Sequence, residues 1–286
     1  MKICIITDDN SGITPIEAKE LGIKLLRMPV IVDGKVYFEN DNITTKEFYT
    51  WLAEDKDIKT SQPAPGDIIN LWEETLKEYD QIVHIPMSSG LSESCHSALM
   101  LSEDYKGKVF VVDNHRISIT LKRSVYDALN LVKQGKNAAE IKDILEKEKS
   151  ESTIFIMVDT LKYLKKGGRI TPAGAALGTT LHIKPVLKIL GGKLDAYAKC
   201  LGVKKAKKAM LEAVKKELET KFKDVPIEKL DFAAAYTYDI DSANIWVNEI
   251  KEYFGINNVP CDPLSLSIAT HIGPGAIAIA VSKIID

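Results

Sequence analysis

Short apolar runs alternate with amphipathic helical stretches from one end of the chain to the other, and that alternation constrains the fold most. "KICIIT" (2–7) is stopped by Asp8, Asp9, Asn10 and Gly12, the form of a buried strand running into a loop. "QIVHIPM" (81–87) and "KVFVVD" (108–113) repeat that form. Between and after them lie helical patterns: "GDIINLWEETLKEY" (66–79), "LSESCHSALMLSEDY" (91–105) and "ISITLKRSVYDALNLVKQG" (117–135). Strand, helix and strand at these lengths build right-handed βαβ units, so the first half is expected to carry a mostly parallel sheet.

A charged helix, "NAAEIKDILEKEKSES" (137–152), closes that half, and the pattern restarts with the strand "TIFIMV" (153–158). "KPVLKILGGKLDAYAKC" (184–200) reads as two strands joined across Gly191 and Gly192, a hairpin signature. A basic helix (203–222), a strand (231–238), a helix (243–254) and the strand "AIAIAVSK" (276–283) follow. The expected fold is α/β in two domains, 1–150 and 151–286, with a mostly parallel sheet in the first and a mixed sheet in the second. A chain of 286 residues is long enough for two such cores.

Composition enters by what it excludes. A formal net charge of -2 gives no global field for nucleic acid or an anionic membrane. No window approaches the length of an apolar transmembrane span. "MKICIITDDN" lacks a small-residue cleavage site and reads as a first strand, not a signal peptide, which points to the cytoplasm. Cys4, Cys95, Cys200 and Cys261 are scattered without a CxxC pair, so free thiols are expected and no metal site.

Hydroxyl groups crowd three loops. "MSSGLSES" (87–94) follows a strand and opens a helix, the place where open α/β sheets bind ligands. There Gly90 permits a tight turn, and Ser88, Ser89 and Ser92 suit either a helix cap or an anion. "TSQPAP" (60–65) offers Thr60 and Ser61 beside two prolines, with Asp67 as a candidate N-cap of the next helix. "THIGPG" (270–275) holds His271 at the entrance of the last strand, where an imidazole can serve a carboxylate or a phosphate. His84, His96, His115 and His182 show no ligand spacing with it.

"KKGGRITPAGAALG" (165–178) adds Arg169, a planar cation suited to oxyanions. Neither GxxxxGK[ST] nor GxGxxG occurs, which argues against a nucleotide site in this chain. Ser89 or Ser92 with His271 and Asp113 would make a triad, but the GxSxG elbow is missing. The lysines of 203–222 fit a solvated face or a docking face for an acidic partner.

Taken in order, "TDDNSGIT", "TSQPAP", "SSGLS", "VVDN", "LKYLKKGGRI", "KPVL" and "HIGPGA" resemble the DegV family of bacterial fatty-acid-binding proteins, over nearly the entire chain. The resemblance implies two α/β domains with a long-chain fatty acid held between them, no catalysis by this chain alone and no further cofactor. It implies a role as the acyl-carrying subunit of a fatty acid kinase, whose separate ATP-binding subunit phosphorylates the bound acid for phospholipid synthesis. It makes Thr60, Ser92 and His271 the donors to the carboxylate, with Ser61, Ser89, Gly90 and Arg169 in support. Two departures stand out. Glu93 follows "SSGLS" where a small residue is usual, and "YAKCLGVKKAKK" (197–208) carries lysines where arginines are usual. A stand-alone serine hydrolase acting on acyl esters and a small-anion sensor are the competing readings.

Overall fold

The computed structural model describes residues 1–177, 182–190 and 193–285. The chain begins β1 (Ile3–Asp8), α1 (Pro15–Leu21), β2 (Lys24–Leu26), β3 (Pro29–Val32), β4 (Lys35–Phe38), α2 (Thr45–Ala53) and β5 (Ile58–Thr60). Next come α3 (Pro65–Leu76), β6 (Gln81–Ile85), α4 (Ser94–Ser102), β7 (Val109–Val111), α5 (Ser118–Lys133) and α6 (Ala138–Lys147). Then follow β8 (Ser152–Met157), α7 (Lys162–Gly167), α8 (Pro172–Ala176), β9 (Ile183–Leu190), β10 (Lys193–Leu201) and α9 (Val203–Glu219). The chain closes with β11 (Leu230–Tyr236), α10 (Ile240–Phe254), β12 (Cys261–Pro263), α11 (Leu266–Ile272) and β13 (Ile277–Lys283).

The fold class is the expected one. A first sheet, β2-β1-β6-β7, is parallel in every pairing. A second, β10-β9-β8-β13-β11-β12, is mixed: β11 and β12 run parallel and the other pairs antiparallel. β9 and β10 form the hairpin, whose glycine pair lies outside the described residues. A small antiparallel sheet, β4-β3-β5, occupies a stretch to which the sequence reading assigned no element.

Both large sheets are covered on both faces, which is why their strands read as continuous apolar runs. Along β8, Ile154 and Ile156 face one core while Phe155 and Met157 face another. The first of these cores joins the two sheets: Ile5, Val83 and Ile85 meet Ile154, Ile156 and Ala278 there, with Leu121 and Val125 of α5 between them. The second packs β8, β11 and β13 against α9 and α10 through Met210, Val214 and Trp246. A third, with Trp72 and Ile82, seats α3 and α4 on the outer face of the parallel sheet.

Local chemistry shifted several ends. Pro65 sits in the first turn of α3, so Ala64 is the N-cap and not Asp67, because a ring nitrogen without a proton costs nothing where no intrahelical partner exists. The helix expected from residue 91 starts at Ser94. His271 lies in the last turn of α11, a helix missed by the sequence reading, and not in a turn at the mouth of β13.

Candidate functional site

The carboxyl ends of the parallel strands are stitched together by buried polar groups. Asp8, at the end of β1, accepts the Met87 amide at 2.8 Å, and the Ser88 amide donates to Arg116 O at 2.9 Å. These bonds fix the loops after β6 and β7 side by side. A cavity of about 320 Å³ opens at their edge, within the range of small-molecule sites. Met87, Leu91, Ser92 and Ile117–Ile119 line it from these loops, and Thr60–Gln62 from the end of β5. The second sheet supplies Ile154, Ile156, Ile189, Leu194 and Ala278.

α11 closes the cavity. Leu266 and Ala269 bury against the small sheet and α2, beside Val30, Phe48 and Ile58. The neighbouring face of the helix, Ser267, Ile268, His271 and Ile272, turns into the cavity. The helix is held at its start by Glu39, whose Oε2 accepts the Leu266 amide at 2.8 Å. Asn10 Oδ1 accepts the hydroxyls of Ser265 (2.9 Å) and Ser267. Neither Asn10 nor Glu39 was singled out from sequence. Asn10 stood in view within "TDDN", read there only as a strand end.

This seating brings together residues 211 positions apart: Thr60 Oγ1 lies 2.8 Å from His271 Nε2. Gly167 permits the approach, since a Cβ there would lie 2.0 Å from His271 Nδ1. Burial, and after it the Arg169 guanidinium, pushes the His271 pKa down to about 4, so the ring is neutral at pH 7. A neutral imidazole carries one donor and one acceptor.

Ser92 lines the same cavity, and its Oγ accepts the Ser94 amide at 3.2 Å. Ser61 and Arg169 form the exposed rim; Arg169 ties the loop after α7 to the other side of the mouth by donating from Nε to Leu91 O at 3.3 Å. Ser89 and Gly90 do not line the cavity. Their amides bond Asp113 Oδ1 (3.4 Å) and Ser88 Oγ (3.2 Å), which shapes the turn carrying Leu91 and Ser92. Glu93 reaches the rim, but its carboxylate is 80% exposed and sits 3.1 Å from His96 Nδ1. The triad does not assemble: Asp113 engages Ser89 and His115, whereas His271 is bonded to Thr60.

The grip on α11 depends on pH. Burial pushes the Glu39 pKa up to about 7, above its ordinary value of 4.5. The folded state therefore holds a proton that the unfolded state releases. The stabilisation is full below about pH 4.5 and is lost as pH rises through about 7. Glu39→Gln keeps an acceptor for Leu266 and removes the titration. Its stability relative to the parent is expected to rise across that window, by at most about 1.4 kcal/mol per pH unit. Urea midpoints measured at pH 5 and pH 8 check this, and parallel profiles would refute it.

No helix among the described residues is long and apolar enough to cross a membrane. Residues 2–283 match the model of the DegV family, described as an uncharacterised protein family. A DegV domain-containing protein of Listeria innocua is 32% identical over 286 residues, with 97% of each chain covered. A DegV family protein of Thermus thermophilus, whose structure is described as fatty acid binding, superposes with a TM-score of 0.87 at 28% identity, over 99% of this chain and 100% of that one. A fatty acid binding DegV family protein of Streptococcus agalactiae gives 0.88 at 27% identity over 99% of both chains.

Proposed function

This chain belongs to the DegV family, and on that premise we propose that it binds one long-chain fatty acid, held between residues 1–150 and 151–286, with the acyl chain in the cavity and the carboxylate at its polar mouth. The observation that carries the reading is the 2.8 Å contact of Thr60 with His271 at the edge of an otherwise largely apolar chamber.

A carboxylate drawn from water needs donors. With its proton on Nε2, His271 donates to Thr60 Oγ1, and the Thr60 hydroxyl then turns its own hydrogen to the ligand. The Ser92 hydroxyl, which accepts from the Ser94 amide, has its hydrogen free for the second oxygen. Arg169 and Ser61 stand at the rim, and Ser89 and Gly90 hold the turn behind Ser92. Burying about fifteen methylenes at about 0.8 kcal/mol each yields on the order of 10 kcal/mol before ordering costs. The apolar wall speaks against a small-anion sensor and the dispersed triad against a serine hydrolase.

Neutral donors leave the carboxylate its charge and hence its nucleophilicity, which suits phosphorylation by a separate ATP-dependent kinase subunit. Solvent extraction of the purified chain with mass identification is expected to release about one long-chain fatty acid per chain. The loaded chain, given ATP and such a subunit, is expected to yield acyl phosphate, trapped as a hydroxamate. Protein that refuses added fatty acid would end the first claim; a hydroxamate yield no higher than that of the unloaded chain would end the second.

A further inference from the structure

We propose that the acyl cavity continues through the six-stranded sheet into a second, basic chamber, and that the chain accepts long-chain acids whose far end carries oxygen. The proposal rests on the fatty-acid reading above. A cavity of about 330 Å³ lies beyond the first, with His115, Thr120, Lys149, Thr153, Lys188 and Lys221 in its wall. Ile154 and Ile189 line both cavities. One segment of chain borders both: Ile117, Ser118 and Ile119 face the first chamber, His115 and Thr120 the second. His115 and Ser118 both adopt left-handed backbone (φ 57° and 53°), strain of the kind that a fold keeps at sites it uses.

The sheet itself parts at the junction. Among the described residues the ladder between β8 and β9 runs from Met157 opposite Val186 to Phe155 opposite Lys188 and stops there, one residue short of Ile154 and Ile189. Ile154 and Ile189 belong to the core facing the parallel sheet. Lys188 lies on the opposite face, its ammonium 5.5 Å from the Phe155 ring and 2.6 Å from Glu217 of α9. The second chamber therefore reaches both faces through the gap between the strands.

Its direction fits a chain entering at His271. β13 begins opposite Met157, six residues after His271, so the head-group end lies at the Met157 end of β8. Ile154 lies three residues further along, about 10 Å away.

The chemistry at the far end is polar. Thr153 is 3% exposed, and its Oγ1 has no hydrogen-bond partner. A methyl terminus would leave that hydroxyl unsatisfied; a hydroxyl or carboxylate terminus would bond it. Lys188 and Lys221 share the carboxylate of Glu217, at 2.6 and 3.7 Å, and Lys149 stands at the rim without an acidic partner among the described ion pairs. With Glu151 also acting on Lys221, three lysines face two carboxylates, and the remaining positive charge favours an oxygen-bearing terminus.

The test is competition on the full chain stripped of lipid, read by native mass spectrometry. Hexadecanoic acid is set against 16-hydroxyhexadecanoic acid and against hexadecanedioic acid. At least one oxygenated acid is expected to bind as well as the plain acid, and the ratio of its affinity to that of the plain acid to fall about tenfold in Thr153→Val, which keeps the shape and removes the hydroxyl. Should that variant not fold, Lys149→Gln on the exposed rim is expected to lower the ratio of diacid to plain acid severalfold. The hydroxy acid and the diacid separate a need for hydrogen bonding from a need for charge. Oxygenated acids bound tenfold more weakly than the plain acid, or a ratio unchanged by the folded variant, would overturn the proposal. If the plain acid does not bind either, the fatty-acid reading has failed and this inference falls with it.

Discussion

The Ser92→Ala, His271→Ala double variant is expected to purify folded and to bind fatty acid at least about a hundredfold more weakly than the parent. Removing Ser92 costs one hydrogen bond to a desolvated charge, roughly 1.5–3 kcal/mol, and removing His271 misaligns the Thr60 hydroxyl that makes the other, so the two together exceed a hundredfold in affinity. Ser92 sits in a loop and is half-buried, and the His271 imidazole, neutral at pH 7, supports no buried charge. The fold therefore has little to lose. Thr60 keeps its hydroxyl but loses the ring that orients it, so the remaining donor is misaligned as well as alone. Fatty acid bound per chain, beside circular dichroism and the melting temperature, checks the outcome. Full occupancy in a folded double variant would remove these side chains from the head-group site.

Gly167→Ala is expected to disable the site from outside the cavity. The new methyl would lie 2.0 Å from Nδ1 and 2.8 Å from Cε1 of His271, below any tolerable contact. Either the ring swings off Thr60 or α7 moves away from α11. Overpacking of this kind costs about 1–3 kcal/mol in stability, and loss of the His271 contact is expected to weaken fatty acid binding at least tenfold. The signature is its dependence on the partner. In a His271→Ala background the clash is gone, and Gly167→Ala is expected to be nearly neutral for stability. Denaturant midpoints for the four proteins of this cycle measure the coupling, and additive effects would mean that the glycine serves some other purpose.

The parallel sheet was legible because β1, β6 and β7 carry apolar runs bounded by turn residues, with helical periods between them. The mixed second sheet was legible from the hairpin pattern around Gly191 and Gly192. The small sheet β4-β3-β5 was not, since its strands are three or four residues long and draw their order from packing against α2 and α11. α11 was hidden for a related reason. "LSIATHI" is buried on nearly every side, so it shows no amphipathic period, and it spans barely two turns before Gly273.

The polar side chains of the site were visible as an excess of hydroxyls in loops, and the resemblance of the ordered motifs singled out Thr60, Ser92 and His271 among them. What no pattern in the sequence showed was which face of each strand would meet the ligand. Of the run 153–158, only Ile154 and Ile156 line the cavity, while Phe155 and Met157 pack against α9 and α10. Asn10 and Glu39 escaped notice because their work is to hold α11, and that helix was itself unseen.

The most direct measurement is a crystal structure of the chain with one long-chain fatty acid bound. The carboxylate oxygens should lie about 2.6–3.2 Å from the Thr60 and Ser92 hydroxyls, with His271 still against Thr60 and the acyl chain passing Ile156 towards Ile154 and Ile189. A head group found away from these side chains, or an acid bound outside this chamber, would contradict the account.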